Sequence, residues 1–95
     1  MKQFYVYIVT NHKHGTLYVG MTSNIAKRAW EHKEKVVDGF TKRYDLKRLV
    51  YAESHATAEG AIHREKRLKN WKRQWKIELI EGQNPDWRDL YDDLV

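Results

Sequence analysis

The 95-residue chain contains no cysteine, a single proline and no long run of apolar residues. The lack of cysteine excludes disulfide bonds and thiolate metal sites. A membrane-spanning helix needs about 18 or more apolar residues in a row, which no segment offers, and the start MKQFYVYIV lacks the layout of a secretory signal. We therefore expect a cytoplasmic protein without membrane contact. A single domain over residues 1–95 is expected, because domains usually have about 100 to 150 residues.

Positive charge is concentrated in the middle of the chain. The net charge is +5, yet residues 41–76 carry eleven basic and four acidic residues, whereas residues 77–95 carry one and six. Within HREKRLKNWKRQWK, residues 63–76, seven lysines or arginines accompany one acid, Glu65, and two tryptophans, Trp71 and Trp75. Such a stretch favours binding to a nucleic-acid backbone over binding to a membrane. A soluble basic protein without such a partner is the alternative.

The first segments of the sequence predict a β-hairpin. QFYVYIVT and TLYVG alternate in the manner of strands, and NHKH followed by Gly15 is typical of a four-residue loop. Pairing Thr10 with Gly15 sets a register in which Tyr7 faces Tyr18. Alternation along the strands then places Tyr5, Tyr7 and Tyr18 on one face of the sheet. The other face is predicted to carry Phe4, Val6, Ile8, Leu17 and Val19.

A helix and a third strand are predicted to follow the hairpin. SNIAKRAWEHKEKVV has Ser23 or Asn24 as its N-cap, and Arg28 and His32 lie one turn apart along one edge of the predicted helix. Its apolar stripe is predicted to consist of Ile25, Ala29 and Val36, and Gly39 is predicted to end the segment. YDLKRLVYAES then predicts a strand with Leu46, Leu49, Val50 and Tyr51 as its apolar residues.

The last third of the sequence predicts further helices. Thr57 is expected to cap a helix over residues 58–70, WKRQWKIELIE predicts a helix that stops at Gly82, and the pair NP predicts a short terminal helix with Trp87 and Leu90 inward. The order is ββαβαα plus a short C-terminal helix. It predicts an α/β protein of the α+β type, with helices packed on a three-stranded antiparallel sheet.

Glu65 is unusual because it falls on the apolar stripe of the helix over residues 58–70. A helical wheel places it among Ala58, Ala61, Ile62 and Leu68. A carboxylate that faces a core needs a partner, because an unpaired buried charge costs several kcal/mol. One interpretation is a partly buried ion pair with Arg28 or Lys69. The other is a carboxylate that coordinates a divalent cation beneath a basic surface.

Taken together, these segments resemble the GIY-YIG nuclease family. YVY (Tyr5 to Tyr7) stands at the GIY position and YVG (Tyr18 to Gly20) at the YIG position, while SNIAKR carries the arginine of the first helix and AIHREKRLK the glutamate of the second. GFTKRYDLKRLVYAES, AIHREKRLKNWKRQWKIELIE and NPDWRDL resemble the small single-domain bacterial branch, so the resemblance covers nearly the whole chain. Tyr5 replaces the first glycine of GIY. Several branches carry an asparagine after the glutamate helix, and this sequence has none between Trp71 and Glu81.

The resemblance implies a single GIY-YIG-like domain that acts as a metal-dependent endonuclease on nucleic acid, with DNA expected rather than RNA and a monomer expected. Glu65 would ligate one Mg²⁺ or Mn²⁺, and Arg28 would hold a phosphate oxygen in the transition state. Tyr7 and Tyr18 would position the attacking water, with Tyr7 helping to remove its proton. His32 would assist by hydrogen bonding or proton transfer.

The basic run is predicted to form the track for the nucleic-acid backbone. Its candidate phosphate-binding residues are Arg64, Lys66, Arg67, Lys69, Lys72 and Arg73. All of them except Lys69, a candidate partner of Glu65, are expected to be dispensable for the core. The alternative function comes from a different class. A non-catalytic binding module that keeps the nuclease fold would bind single strands with the same cations and with Trp71 and Trp75.

Overall fold

The computed structural model describes residues 2–36 and 39–94, and it contains one antiparallel sheet of three strands. The strands are β1 (Phe4–Thr10), β2 (Leu17–Thr22) and β3 (Arg48–His55), in the spatial order β2-β1-β3. The helices are α1 (Ile25–Lys33), α2 (Phe40–Arg43), α3 (Ala58–Asn70) and α4 (Arg73–Gln83), followed by a short 3₁₀ helix (Leu90–Asp93). The predicted α+β fold, with helices on an antiparallel sheet, is confirmed.

The register of the hairpin differs from the prediction by two residues. Thr10 pairs with Leu17, and Tyr7 pairs with Gly20 rather than with Tyr18. The connection is longer than predicted because Asn11 organises it: its Oδ1 accepts hydrogen bonds from the backbone N–H of His12 at 2.9 Å and of Thr16 at 3.1 Å. A shift of two residues leaves every side chain on its predicted face, since strand side chains alternate with period two.

The third strand is shorter than predicted and contains an irregularity. Leu46 lies before β3, in the segment that connects it to α2, where it is buried. Opposite β1, Ile8 pairs with Tyr51 and Val9 pairs with Leu49, so Val50 is an extra residue at a bulge. The bulge allows Leu49 to be buried on one face of the sheet while Val50 and Tyr51 are buried on the other.

Helix α1 is also shorter than predicted. Asn24 is its N-cap and accepts a hydrogen bond from the N–H of Lys27, as expected, but the helix ends at Lys33. Val36 therefore lies outside it, 55% exposed, and the prediction that it belongs to the apolar stripe is wrong. His32 is the buried residue one turn after Ala29. Gly39 begins the short helix α2, which was not predicted, with a positive φ of 90° that favours glycine.

The later helices agree with the prediction to different degrees. Helix α3 spans the predicted residues and begins at Thr57, whose side chain accepts from the N–H of Gly60 at 3.1 Å. Helix α4 continues through Gly82 and ends at Gln83, because Asn84 turns its side chain back to the carbonyls of β3 and the following loop. The terminal helix starts later than predicted, and Trp87 is buried in the loop before it.

Two buried clusters lie on opposite faces of the sheet. The α1 face is formed by Tyr7, Val9, Leu46 and Leu49 with Ile25 and Ala29 of α1. The α3 face is formed by Val6, Ile8, Val19, Val50 and Tyr51 with Ala61, Leu68, Ile80 and Trp87. Residues 2–36 and 39–94 include no helix long and apolar enough to span a membrane. The sheet thus presents Tyr5, Tyr7 and Tyr18 to the α1 face, and β2 is the edge strand that α3 approaches.

Candidate active site

Tyr7 and His32 form a buried hydrogen bond at the centre of the candidate site. The Tyr7 hydroxyl lies 3.0 Å from Nε2 of His32, and their ring centroids are 5.6 Å apart. Within the described part of the chain, Nδ1 of His32 has no hydrogen-bond partner. The two residues come from β1 and α1, so this bond joins the sheet to the helix that packs on it.

Gly20 makes the position of Tyr7 possible. The two residues pair across β1 and β2, and the Tyr7 ring lies over the glycine. A Cβ at Gly20 would stand 2.4 Å from the Tyr7 hydroxyl oxygen and 2.5 Å from the ring carbon that carries it. The glycine of the YVG motif is therefore a positioning residue, because any side chain there would move the tyrosine that bonds His32.

Burial shifts the pKa values of both partners away from neutral pH. Burial raises the pKa of Tyr7 to about 12, although the nearby Arg28 guanidinium acts in the opposite direction. Burial, with the positive charge of Arg28, lowers the pKa of His32 to about 4, and Glu31 opposes this effect. At neutral pH the bond therefore joins a protonated tyrosine to an uncharged imidazole, in which Nε2 either accepts or donates depending on the tautomer.

The Tyr18 ring neighbours this pair, and Glu65 is linked to Tyr18 through Lys69. The Tyr18 ring centroid is 6.3 Å from that of His32, and Nζ of Lys69 lies 5.6 Å from the centre of the Tyr18 ring. The same Lys69 stands 3.8 Å from the Glu65 carboxylate. Burial is the main cause of the raised pKa of Tyr7, and the Glu65 carboxylate adds a small part to that rise. The structure thus brings all five predicted catalytic residues to the surroundings of the Tyr7–His32 hydrogen bond, beside the edge strand β2.

Arg28 pairs with Glu31 and not with Glu65. Its Nε lies 3.0 Å from the Glu31 carboxylate, one helical turn away, although the two groups are not aligned as a hydrogen bond. The side chain is partly exposed, and such a surface pair contributes only about 0.2 to 1 kcal/mol. Arg28 is therefore held near Tyr7 and His32 by a weak partner that an incoming anion is able to replace.

The surroundings of Glu65 fit one metal ligand better than a structural ion pair. Its side chain is 22% exposed, and Lys69 is its single ion-pair partner in the described structure. An i,i+4 pair of this kind is worth about 0.3 to 0.5 kcal/mol, which is little for a half-buried carboxylate. The described residues contain no group of three or more metal-binding side chains. Mg²⁺, however, keeps several waters and often binds through one or two carboxylates. The donor set therefore fits one hydrated divalent ion.

Two of the predicted phosphate-binding residues have structural partners. Nε of Arg64 donates to both oxygens of Glu53 on β3, at 3.2 and 3.1 Å, and Arg73 donates to the carbonyls of His14 and Gly15 at 2.6 and 2.7 Å. Both arginines therefore hydrogen-bond within the fold, which the sequence did not predict, and their contact with phosphates stays a prediction. Their partners come from distant parts of the sequence, which a helical wheel does not include. Lys66, Arg67, Lys69 and Lys72 remain as exposed cations.

Trp71 and Trp75 line a shallow groove of about 570 Å³ with Arg67, Glu78 and Leu79. The two indole rings meet edge to face at 6.1 Å, and the guanidinium of Arg64 and Nζ of Lys72 lie over Trp71 and Trp75, respectively. Trp71 packs against the buried cluster of the α3 face. The groove is thus separated by the sheet from the Tyr7–His32 pair.

Comparison with known proteins gives consistent matches along most of the chain. The model of the GIY-YIG catalytic domain matches residues 3–78. The UPF0213 protein SSP2268 of Staphylococcus saprophyticus is 38% identical over 80 residues, which cover 84% of this chain and 96% of the relative. A UPF0213 protein of Syntrophus aciditrophicus is 38% identical over 87 residues, covering 90% and 98%. The solution NMR structure of the UPF0213 protein BH0048 from Bacillus halodurans superposes with a TM-score of 0.57 at 25% identity, covering 92% of each chain.

Proposed function

Because the chain belongs to the GIY-YIG family, we propose that it is a metal-dependent endonuclease that hydrolyses phosphodiester bonds in DNA. The observation that supports the proposal is the arrangement around the buried Tyr7–His32 hydrogen bond, which has Tyr18, Arg28 and Glu65 in its surroundings. A protein that only bound nucleic acid would need neither the buried Tyr7–His32 bond nor an inward carboxylate under a basic surface. These groups correspond to the parts that phosphodiester hydrolysis requires.

Glu65 is the residue that would hold the divalent ion, Mg²⁺ or Mn²⁺. When bound, the ion supplies charge neutralisation at the phosphate and lowers the pKa of a coordinated water. Lys69 is a counter-ion to Glu65 in the present structure. With its carboxylate engaged by the ion, Glu65 would no longer pair with Lys69, and Lys69 would be available to a phosphate of the substrate. This exchange would couple metal binding to substrate binding without a large movement of the fold.

Tyr7 and His32 would orient the attacking water and move its proton. With a pKa of about 12, the Tyr7 hydroxyl is protonated at neutral pH and donates one hydrogen bond while accepting another. A water that donates to Tyr7 is fixed in direction, and its proton passes to the Tyr7 oxygen as the proton of Tyr7 passes to Nε2 of His32. Because the pKa of His32 is about 4, the ring holds that proton only during the step. Tyr18 on β2 would help to position the same water.

Arg28 would stabilise the charge that develops on the phosphate oxygens. A guanidinium presents a planar pair of N–H donors that matches two phosphate oxygens, and it carries its charge at every relevant pH. The weak pair with Glu31 keeps the side chain ordered before substrate arrives. Removing one preorganised donor of this type typically costs about 100- to 1000-fold in rate.

A second function is favoured by the groove of Trp71 and Trp75. Its two rings and the neighbouring cations suit a module that binds nucleic acid without cutting it. The experiment that separates the two functions is incubation of nicked and branched DNA with the purified protein, in Mg²⁺ or Mn²⁺ and in EDTA. We expect new ends with the metal and intact DNA in EDTA. Binding without cleavage under every metal condition would favour the second function.

A further inference from the structure

Three aromatic rings form a row that begins at the candidate active site. We call Tyr18, Phe40 and Tyr44 the aromatic row. The rings of Tyr18 and Phe40 are stacked, with centroids 6.2 Å apart and an interplanar angle of 30°. Those of Phe40 and Tyr44 are 4.7 Å apart at 43°. The row therefore extends from a residue that contacts His32, across α2, to the surface.

The outer two rings are exposed to solvent to a degree that the fold does not require. Phe40 is 46% exposed and Tyr44 is 44% exposed. Neither ring belongs to the buried cluster of the α1 face or to that of the α3 face. Exposed apolar surface that is contiguous with a site commonly marks binding of a ligand. The aromatic row thus offers ring faces beside the site that the core leaves uncovered.

Cations accompany the aromatic row at both ends. The guanidinium of Arg43 lies 5.9 Å from the centre of the Tyr44 ring, and Nζ of Lys69 lies 5.6 Å from that of Tyr18. Alternation of aromatic faces with cations is the arrangement that binds a single strand, whose bases stack on rings while its phosphates contact the positive charges. A neutral apolar partner would have no use for these cations.

We propose that the aromatic row stacks unpaired bases next to the phosphate that is cut. The substrate would then be DNA with single-stranded nucleotides at or beside the cleavage site, rather than continuous duplex. A base in a duplex already stacks on its neighbours, so it has no free face for Phe40. This inference rests on the proposed function, since it assigns the substrate class of the same site.

The groove of Trp71 and Trp75 is the competing location for a single strand. It lies against the cluster of the α3 face, whereas the aromatic row starts at Tyr18 on the α1 face. A strand bound at the row would pass directly to Tyr18 and His32. A strand bound at the tryptophan groove would need a longer path to the site. Continuity with the site favours the aromatic row.

The test measures binding in EDTA, where no cleavage is needed. Affinities of labelled oligothymidine and of a blunt duplex of equal length are determined by fluorescence anisotropy for the parent and for Phe40→Leu, which keeps an apolar side chain but removes the ring. Stacking of one base is worth about five- to more than 100-fold in affinity. We expect a loss in that range for the single strand and an unchanged affinity for the duplex. Phe40→Trp should bind the single strand at least as tightly as the parent.

Two further variants make the outcome specific. Trp30→Leu removes an exposed aromatic ring from the side of α1 away from Arg28 and His32, so it should bind like the parent. Trp75→Ala tests the competing groove. Parental binding of the single strand by Phe40→Leu would overturn the inference, and so would a loss seen with Trp75→Ala alone. If the parent cuts DNA and Phe40→Leu still binds the single strand with parental affinity, this inference is refuted. The proposed nuclease function is then left intact.

Discussion

The replacement Gly20→Ala examines the packing that holds Tyr7 against His32. The added methyl group would stand 2.4 Å from the Tyr7 hydroxyl oxygen, and ordinary contact begins near 3.4 Å, so the ring has to move by about 1 Å. Tyr7 is 1% exposed and enclosed by the α1 face, which leaves no free space for that movement. Overpacking of this kind costs about 1 to 3 kcal/mol. For a chain of this size the melting temperature should fall by roughly 4 to 24 °C.

The matched control is Gly82→Ala in α4, where a new methyl group meets nothing within 4 Å. Alanine is favoured over glycine inside a helix by roughly 0.5 to 1 kcal/mol, so this variant should melt at or above the temperature of the parent. Thermal unfolding followed by circular dichroism compares the two, and the ¹⁵N shift of the His32 ring reports whether the Tyr7 hydrogen bond persists. If Gly20→Ala melts with the parent and keeps the His32 shift, the close approach of Tyr7 to Gly20 is refuted.

Three further predictions concern charge. Arg28→Lys should cut about 100- to 1000-fold more slowly than the parent in single-turnover assays while remaining folded, because an ammonium lacks the planar pair of donors; parental turnover would refute a bidentate contact. Charge reversal of Lys66 and Arg67 should flatten the slope of log affinity against log salt by about 1 to 2 units. Arg64→Ala should instead lower the free energy of unfolding by about 1 kcal/mol, because Arg64 hydrogen-bonds Glu53. The pKa of His32 is about 4 in the folded chain and about 6.5 in the unfolded chain. The free energy of unfolding should therefore decrease as the pH falls from 6.5 to 4, by up to roughly 3 kcal/mol, because only the unfolded chain binds the proton in this range. His32→Gln should flatten that part of a urea-denaturation series, and an unchanged pH dependence would contradict a buried neutral ring.

Local patterns predicted the elements of the fold better than their contacts. The Thr57 cap and the apolar period were sufficient for the bounds of α3, because both signals lie within the helix itself. The faces of β1 and β2 were predicted although the register was wrong, because a shift of two residues preserves alternation. The length of the hairpin loop was missed, since it depends on how the Asn11 side chain folds back on the backbone.

The sequence proposed the members of the candidate site but did not predict their geometry. The order of the motifs in the resemblance selected Tyr7, Tyr18, Arg28, His32 and Glu65. The close approach of Tyr7 to Gly20 depends on the pairing of two strands, which only the fold supplies. For the same reason, the sequence did not indicate that Glu31, not Glu65, pairs with Arg28. The glycine of the YVG motif, Gly20, was the one signal in the sequence that pointed to a close approach of another group.

The measurement that most directly tests a metal-dependent nuclease is cleavage by Glu65→Gln, which keeps the size of the side chain and removes its charge. Cleavage of branched DNA over a Mg²⁺ titration is compared with the parent, alongside DNA affinity in EDTA and a circular-dichroism melt. We expect cleavage to be lost at every Mg²⁺ concentration, while the fold is kept and DNA binding is equal or slightly tighter, because one repulsive charge is gone. Cleavage by Glu65→Gln at the parental rate would contradict Glu65 as the metal ligand, and unfolding of the variant would instead support a structural ion pair with Lys69.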